Sequence, residues 1–173
     1  NPLLIPGTVV NVACYGDSSG YITALPNGGT APYSYAWSNG QTSQVDTLLP
    51  AGSYVVTVTD ANGCIDSALF DVGEPSAPIA LTAIANAVGC FGANSGAIDL
   101  SVTGGTPGYS YLWSNNATSQ DIQSLLAGNY QVVVTDANGC IDSLDVPITQ
   151  PQAPLMVMPN ITNAPCFGQS GGS

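Results

Sequence analysis

The chain has 173 residues, with 11 Asp plus Glu and no Lys, Arg or His, so its formal charge is −11 and every ionised side chain is an anion. It therefore lacks an imidazole or amine base to activate a nucleophile, cations to neutralise phosphates or an anionic bilayer surface, and the His and paired-thiolate sets that hold zinc or copper. These absences argue against an enzyme, a nucleic-acid binder and a membrane-inserting protein, and the expected list of cofactors is empty.

The predicted elements come in copies. Cys14 recurs 76 residues later as Cys90 and again as Cys166, and Cys64 recurs as Cys140. The same offset carries Tyr33-Ser34-Tyr35 onto Tyr109-Ser110-Tyr111 and Trp37-Ser38-Asn39 onto Trp113-Ser114-Asn115. A period this long exceeds most solenoid units and points to a self-contained small domain. The expected division is 1–75, 76–151 and 152–173, the last as the first strand and loop of an incomplete third repeat. Two prolines in each of the joints 74–78 and 150–154 predict short, stiff connections.

In chain order within a repeat, Ile79 to Ala85 alternates as a first strand and Ala97 to Val102 as a second, ending at Gly104-Gly105. Tyr109 to Trp113 is a third, followed by a tight turn at Asn115-Asn116, or Asn39-Gly40 in the first copy. Asn129 to Thr135 is the clearest strand, and Asp136-Ala-Asn-Gly139 turns into Ile141 to Ile148. No segment has helical spacing. Some seven short strands separated by turns predict an all-β class: tandem immunoglobulin-like Greek-key β-sandwich modules arranged head to tail. Trp37 and Trp113 are assigned to the core, and Tyr54 and Tyr130 to a tyrosine corner.

The Asp60-Ala-Asn62-Gly63 turn and its copy offer about three oxygens, with Asp66 or Asp142 nearby, where calcium takes six to eight. Turn chemistry is the preferred reading over calcium. Five Cys in so short a chain fit an oxidising, extracellular compartment, and the odd count leaves Cys166 with a partner outside the chain. The loops after the first strand and before the last lie a strand apart, roughly 26 Å, whereas a disulfide spans less than about 7 Å between Cα atoms. Head-to-tail modules would bring Cys14 toward Cys140, the favoured staple. Pairing within repeats, Cys14 with Cys64 and Cys90 with Cys140, stays open as the commoner arrangement for two Cys per domain.

No stretch reaches the roughly 18 apolar residues of a membrane span, and the N-terminus has no signal-peptide charge, so the chain reads as a mature or excised soluble piece. Charged residues are only 6%, against roughly 25% in typical soluble domains. The surface must be mostly Ser, Thr, Asn, Gln and Gly, which suits lateral packing or a coat of sugar. Without Lys, isopeptide staples cannot form and trypsin-like proteases have no site.

The chain resembles the SprB-type repeats of Bacteroidota cell-surface adhesins, relatives of polycystic-kidney-disease-like modules. The resemblance is carried by Cys90-Phe-Gly92, Gly96-Ala-Ile98, Gly104-Gly-Thr-Pro107, Tyr109 to Asn115, Leu126-Ala-Gly-Asn-Tyr130 and Val134 to Cys140. The first copy departs modestly, with Tyr15 for Phe91 and Pro32 for Gly108. The resemblance implies export by type IX secretion, surface display, and adhesion, gliding motility or filament formation. It also implies O-glycans on Asp-Ser/Thr-aliphatic triplets, with Thr47, Ser67 and Ser143 as the acceptors. The leading expectation is the shaft of an adhesin or extracellular filament whose partners are neighbouring repeats. Two alternatives are an array of carbohydrate-binding modules, with Tyr33, Tyr35, Tyr109 or Tyr111 stacking on surface glycans, and a donor-strand filament completed by residues 155–163.

Overall fold

A computed structural model describes residues 1–157. The proposed third-repeat segment beyond residue 157, most of the proposed donor strand and Cys166 lie outside the described residues. Within them the chain forms twelve strands and no helix: β1 (Gly7–Val10), β2 (Gly20–Ala24), β3 (Ser34–Trp37), β4 (Val45–Leu49), β5 (Gly52–Thr59) and β6 (Ile65–Val72), then β7 (Ala80–Asn86), β8 (Gly96–Thr103), β9 (Ser110–Trp113), β10 (Ile122–Leu125), β11 (Gly128–Thr135) and β12 (Ile141–Ile148).

Strands pair antiparallel in four three-stranded sheets, ordered β1-β2-β4, β3-β5-β6, β7-β8-β10 and β9-β11-β12. The chain changes sheet at β2–β3, β3–β4 and β4–β5, and the second set repeats this path. That is the Greek-key connectivity of an immunoglobulin-like sandwich, cut to six strands. The seventh strand is missing because Ser38–Gln44 crosses between sheets as turns alone. Gly40 N donates to Trp37 O at 2.9 Å, and Asn116 N repeats this to Trp113 O.

Each repeat has its own apolar core. In the first, Ile22 and Ala24 of β2 oppose Val56 and Val58 of β5, and all four are fully buried. In the second, Ile98, Leu100, Val132 and Val134 take these places. The period-two alternation puts every second side chain inside, and each fully buried Val, Leu or Ile stabilises by about 1.5–3 kcal/mol. Trp37 and Trp113 fill the space between sheets, and each indole N–H donates to a carbonyl, Ser43 O at 2.8 Å and Ser119 O at 2.9 Å. Tyr54 and Tyr130 donate their hydroxyls to carbonyls four residues upstream, Pro50 O and Leu126 O.

One core position changes from charged to apolar between the copies. Asp46 of β4 is paired with Ile22 and fully buried, where the second repeat pairs Ile122 with Ile98. Asn39 donates to Asp46 Oδ2 at 2.8 Å, and Asp46 Oδ1 has no partner. Burial pushes this carboxyl above its ordinary pKa, against the lowering effect of Asn39 and the Thr47 backbone.

Candidate functional site at the inter-repeat junction

The two repeats meet through loops, and the contact begins with how each loop is held. The loop after β1 is tied to the end of β6: Val12 N donates to Gly73 O at 2.9 Å, and Gly73 N donates to Asn11 Oδ1 at 3.0 Å. Glu74, the first residue of the joint, accepts from Gly16 N at 2.6 Å. Gly16 sits at φ 75°, where a side chain is disfavoured, so the loop doubles back and leaves Cys14 half-buried at its apex.

On the other side, Asp136 organises the turn before β12. Its Oδ1 accepts from Asn138 N at 2.8 Å and Cys140 N at 2.9 Å, and its Oδ2 from Thr106 N at 2.8 Å. Burial raises the Asp136 carboxyl, but the N–H groups of Thr106, Cys140, Asn138 and Gly139 outweigh it and leave the net pKa lowered. Asp60 is built the same way with Asn62, Cys64 and Thr30. The Cys64 backbone bond is the largest cause of its lowered pKa. These carboxylates are aimed at backbone donors and hold the turn shape. Among the described residues no group of three or more His, Cys, Asp or Glu is placed to hold a metal.

Cys14 and Cys140 form a disulfide, with Cα atoms 5.7 Å apart and 126 residues between them. Asn138 Nδ2 donates to Ala13 O at 3.0 Å across the same joint, while also donating to Thr106 Oγ1 at 2.9 Å. Beside the disulfide is a cleft of about 320 Å³, walled by Tyr15 from the first repeat, Pro78 and Ile79 from the joint, and Ile141 from the second. The joint is fixed at its far end too. Gly105 N donates to Ala77 O at 2.9 Å, and Gly104, at φ 71°, lies so close to Pro78 that a Cβ would fall 1.8 Å from its carbonyl oxygen.

Pairing within repeats is not formed: Cys64 and Cys90 are exposed free thiols. The Cys14 loop packs at the C-terminal end of β6 while Cys64 immediately precedes its N-terminal end. Eight residues of extended strand, roughly 26 Å, therefore separate Cys14 from Cys64, and the matching geometry separates Cys90 from Cys140.

The four tyrosines considered for sugar stacking are half-buried and pack against the two cores. Tyr33 and Tyr109 are further tied by hydroxyl bonds of 2.6 Å to Gly28 O and Gly104 O. Thr47, Ser67 and Ser143 are exposed, and Ser67 shares a 3.1 Å hydroxyl contact with Thr57. Sequence reasoning missed Glu74 and Asn138. Glu74 is read as part of a proline joint and Asn138 as an ordinary turn residue, and only the doubled-back loop gives each its second role.

The SprB repeat family matches residues 7–42 and 82–118, corresponding parts of the two copies that contain Cys14 and Cys90 but not Cys64 or Cys140. No curated protein matches. Among solved structures, the chain is similar to an amphioxus IgVJ-C2 molecule at 13% identity, with 83% of this chain and 96% of that one covered and a TM-score of 0.35. It is similar to murine CEACAM1b at 13% identity, with 78% and 94% covered and a TM-score of 0.33. It is also similar to Sidekick-1 immunoglobulin domains 1-5 at 14% identity, covering 87% of this chain and 40% of that one, with a TM-score of 0.36. The family thus matches one segment in each copy of the 76-residue unit, consistent with SprB-type repeats.

Proposed function

We propose that this chain is a length of the shaft of an extracellular surface adhesin or filament, in which the repeats serve as coupled spacers. SprB repeats belong to cell-surface proteins, and a disulfide between repeats suits an oxidising compartment. Type IX export, gliding and O-glycans at Thr47, Ser67 and Ser143 belong to this reading as proposals from the family resemblance. Glycans on those exposed hydroxyls would shield a surface poor in charge and lacking edge lysines.

The observation that carries the reading is the covalent crossing from Cys14 to Cys140. Load applied at the two ends of the pair passes through the disulfide, so the 126 residues of separation between Cys14 and Cys140 cannot pay out while it is intact. Single-molecule stretching tests this. Extension of the oxidised pair should be confined to the segments outside residues 14 and 140. Reduction should release about 430 Å of additional contour at roughly 3.4 Å per residue. Equal contour lengths before and after reduction would remove the mechanical reading.

A further inference from the structure

The Cys14–Cys140 junction has two halves, and among the described residues each half occurs once more without a partner. The Cys90 loop reproduces the Cys14 loop. Val88 N donates to Thr149 O, Ala93 N to Cys90 O, Gly89 N to Ser95 Oγ, and Gly92 N to Gln150 Oε1, with Gly92 at φ 74°. The Asp60–Cys64 turn reproduces the Asp136–Cys140 turn bond for bond, including Asn62 Nδ2 to Thr30 Oγ1 at 2.9 Å.

Two differences mark what is missing. Asn138 Nδ2 makes a second bond to Ala13 O, whereas Asn62 Nδ2, among the described residues, makes its internal bond alone. Next to Cys90 is a cleft of about 390 Å³ walled by Phe91, Pro154 and Leu155, the 76-residue counterparts of Tyr15, Pro78 and Ile79. Among the described residues, the wall that Cys140 and Ile141 supply at the first junction has no counterpart there. Phe91 and Leu155 are left exposed.

We propose that the Cys90 cleft is the docking site for the Asp60–Ile65 turn of another copy of this repeat. Cys64 of that copy pairs with Cys90, its Asn62 amide donates to Gly89 O, and its Ile65 supplies the missing wall. The inference extends the shaft reading from one junction to a propagating series. In a chain with further repeats, a loop closed from Cys90 would overlap the 14–140 loop, leaving no unit free to extend between staples. Joining the two thiols releases two protons and two electrons. A small-molecule disulfide such as oxidised glutathione accepts them and leaves as two thiols by exchange.

The test uses the whole chain with Cys166→Ser, so that Cys64 and Cys90 are the only free thiols. With oxidised glutathione it should form a ladder of covalent oligomers on a non-reducing gel. Adding Cys64→Ser or Cys90→Ser gives single-thiol proteins, and both positions are exposed, so the fold tolerates the change. A mixture of the two should form a mixed dimer at least about tenfold faster than either forms a self-dimer, a preference of about 1.4 kcal/mol. Chymotryptic peptides should place the link at Cys64–Cys90, and Asn62→Ala should slow it. Self-dimers at the mixed rate, the same rates in denaturing urea, or no dimer at all would overturn the proposal. Cys14–Cys140 is intact in every variant, so such a failure leaves the stretching test of the shaft reading independent.

Discussion

Asp46 is the residue at which the first repeat departs most from the second. A buried carboxyl with one unpartnered oxygen, in a chain without a basic side chain, destabilises by about 1–3 kcal/mol. Asp46→Ile, which restores the second repeat's residue, should raise stability by about that amount, read from the urea midpoint at unchanged m-value. The pH dependence follows from the sign of each shift. Asp46 has a raised folded pKa, so the folded state binds its proton more tightly and stability increases as pH falls from neutral through that pKa. Asp60 and Asp136 have lowered folded pKa values. Their contribution is present above the unfolded value of about 3.9 and is lost as pH falls through the folded values. Urea midpoints should therefore rise on mild acidification and fall in strong acid. In Asp46→Ile the rise should vanish while the fall remains.

At the scale of elements, β4 and β10 were not legible in the sequence, and a bulge explains why. Gly20 pairs with Leu49 and Tyr21 with Thr47, so Leu48 is left over; Ser124 is left over in the same way in β10. The extra residue breaks the alternation, giving buried residues three apart at Asp46 and Leu49, and at Ile122 and Leu125. A search for period two passes over both strands. Leu48 and Ser124 occupy the left-handed region at φ 60° and 58°, and Leu48 is 78% exposed. Left-handed backbone costs roughly 1–2 kcal/mol for an L-residue, and glycine gives back about 0.5–1 in the unfolded chain. Leu48→Gly should therefore stabilise by about 0.5–1 kcal/mol, measured by chemical unfolding. The other strands were readable because their alternation is unbroken and their turns carry Gly and Asn at positive φ or next to it.

For the molecule as a whole, the consequence is that the joint is held at both ends and bridged across its middle. Reducing Cys14–Cys140 should leave both cores folded, with both tryptophans still shielded from acrylamide quenching. It should also broaden the distribution of inter-repeat distances in small-angle scattering. Asn138→Ala removes the bond to Ala13 O, about 1 kcal/mol. Titration of Cys14–Cys140 against glutathione should show its equilibrium constant lowered about fivefold. Asn62→Ala, outside this junction, should leave that constant unchanged.

The repeat, its 76-residue register, the all-β class and the absence of basic side chains were determined by the sequence alone, because periodicity and composition are properties of the chain before it folds. The sequence also pointed toward an inter-repeat staple, through the length of a strand set against the reach of a disulfide. It left the pairing open, because two Cys per repeat satisfy either arrangement on paper. Only the tertiary structure decided it. Cys14 sits beside the end of β6 and Cys64 before its start, so the thiol that Cys14 can reach is the one the next repeat presents. The same folding gave Glu74 and Asn138 their roles at the joint. Those roles depend on loops brought together across 58 and 125 residues, and no local pattern records contacts at that range.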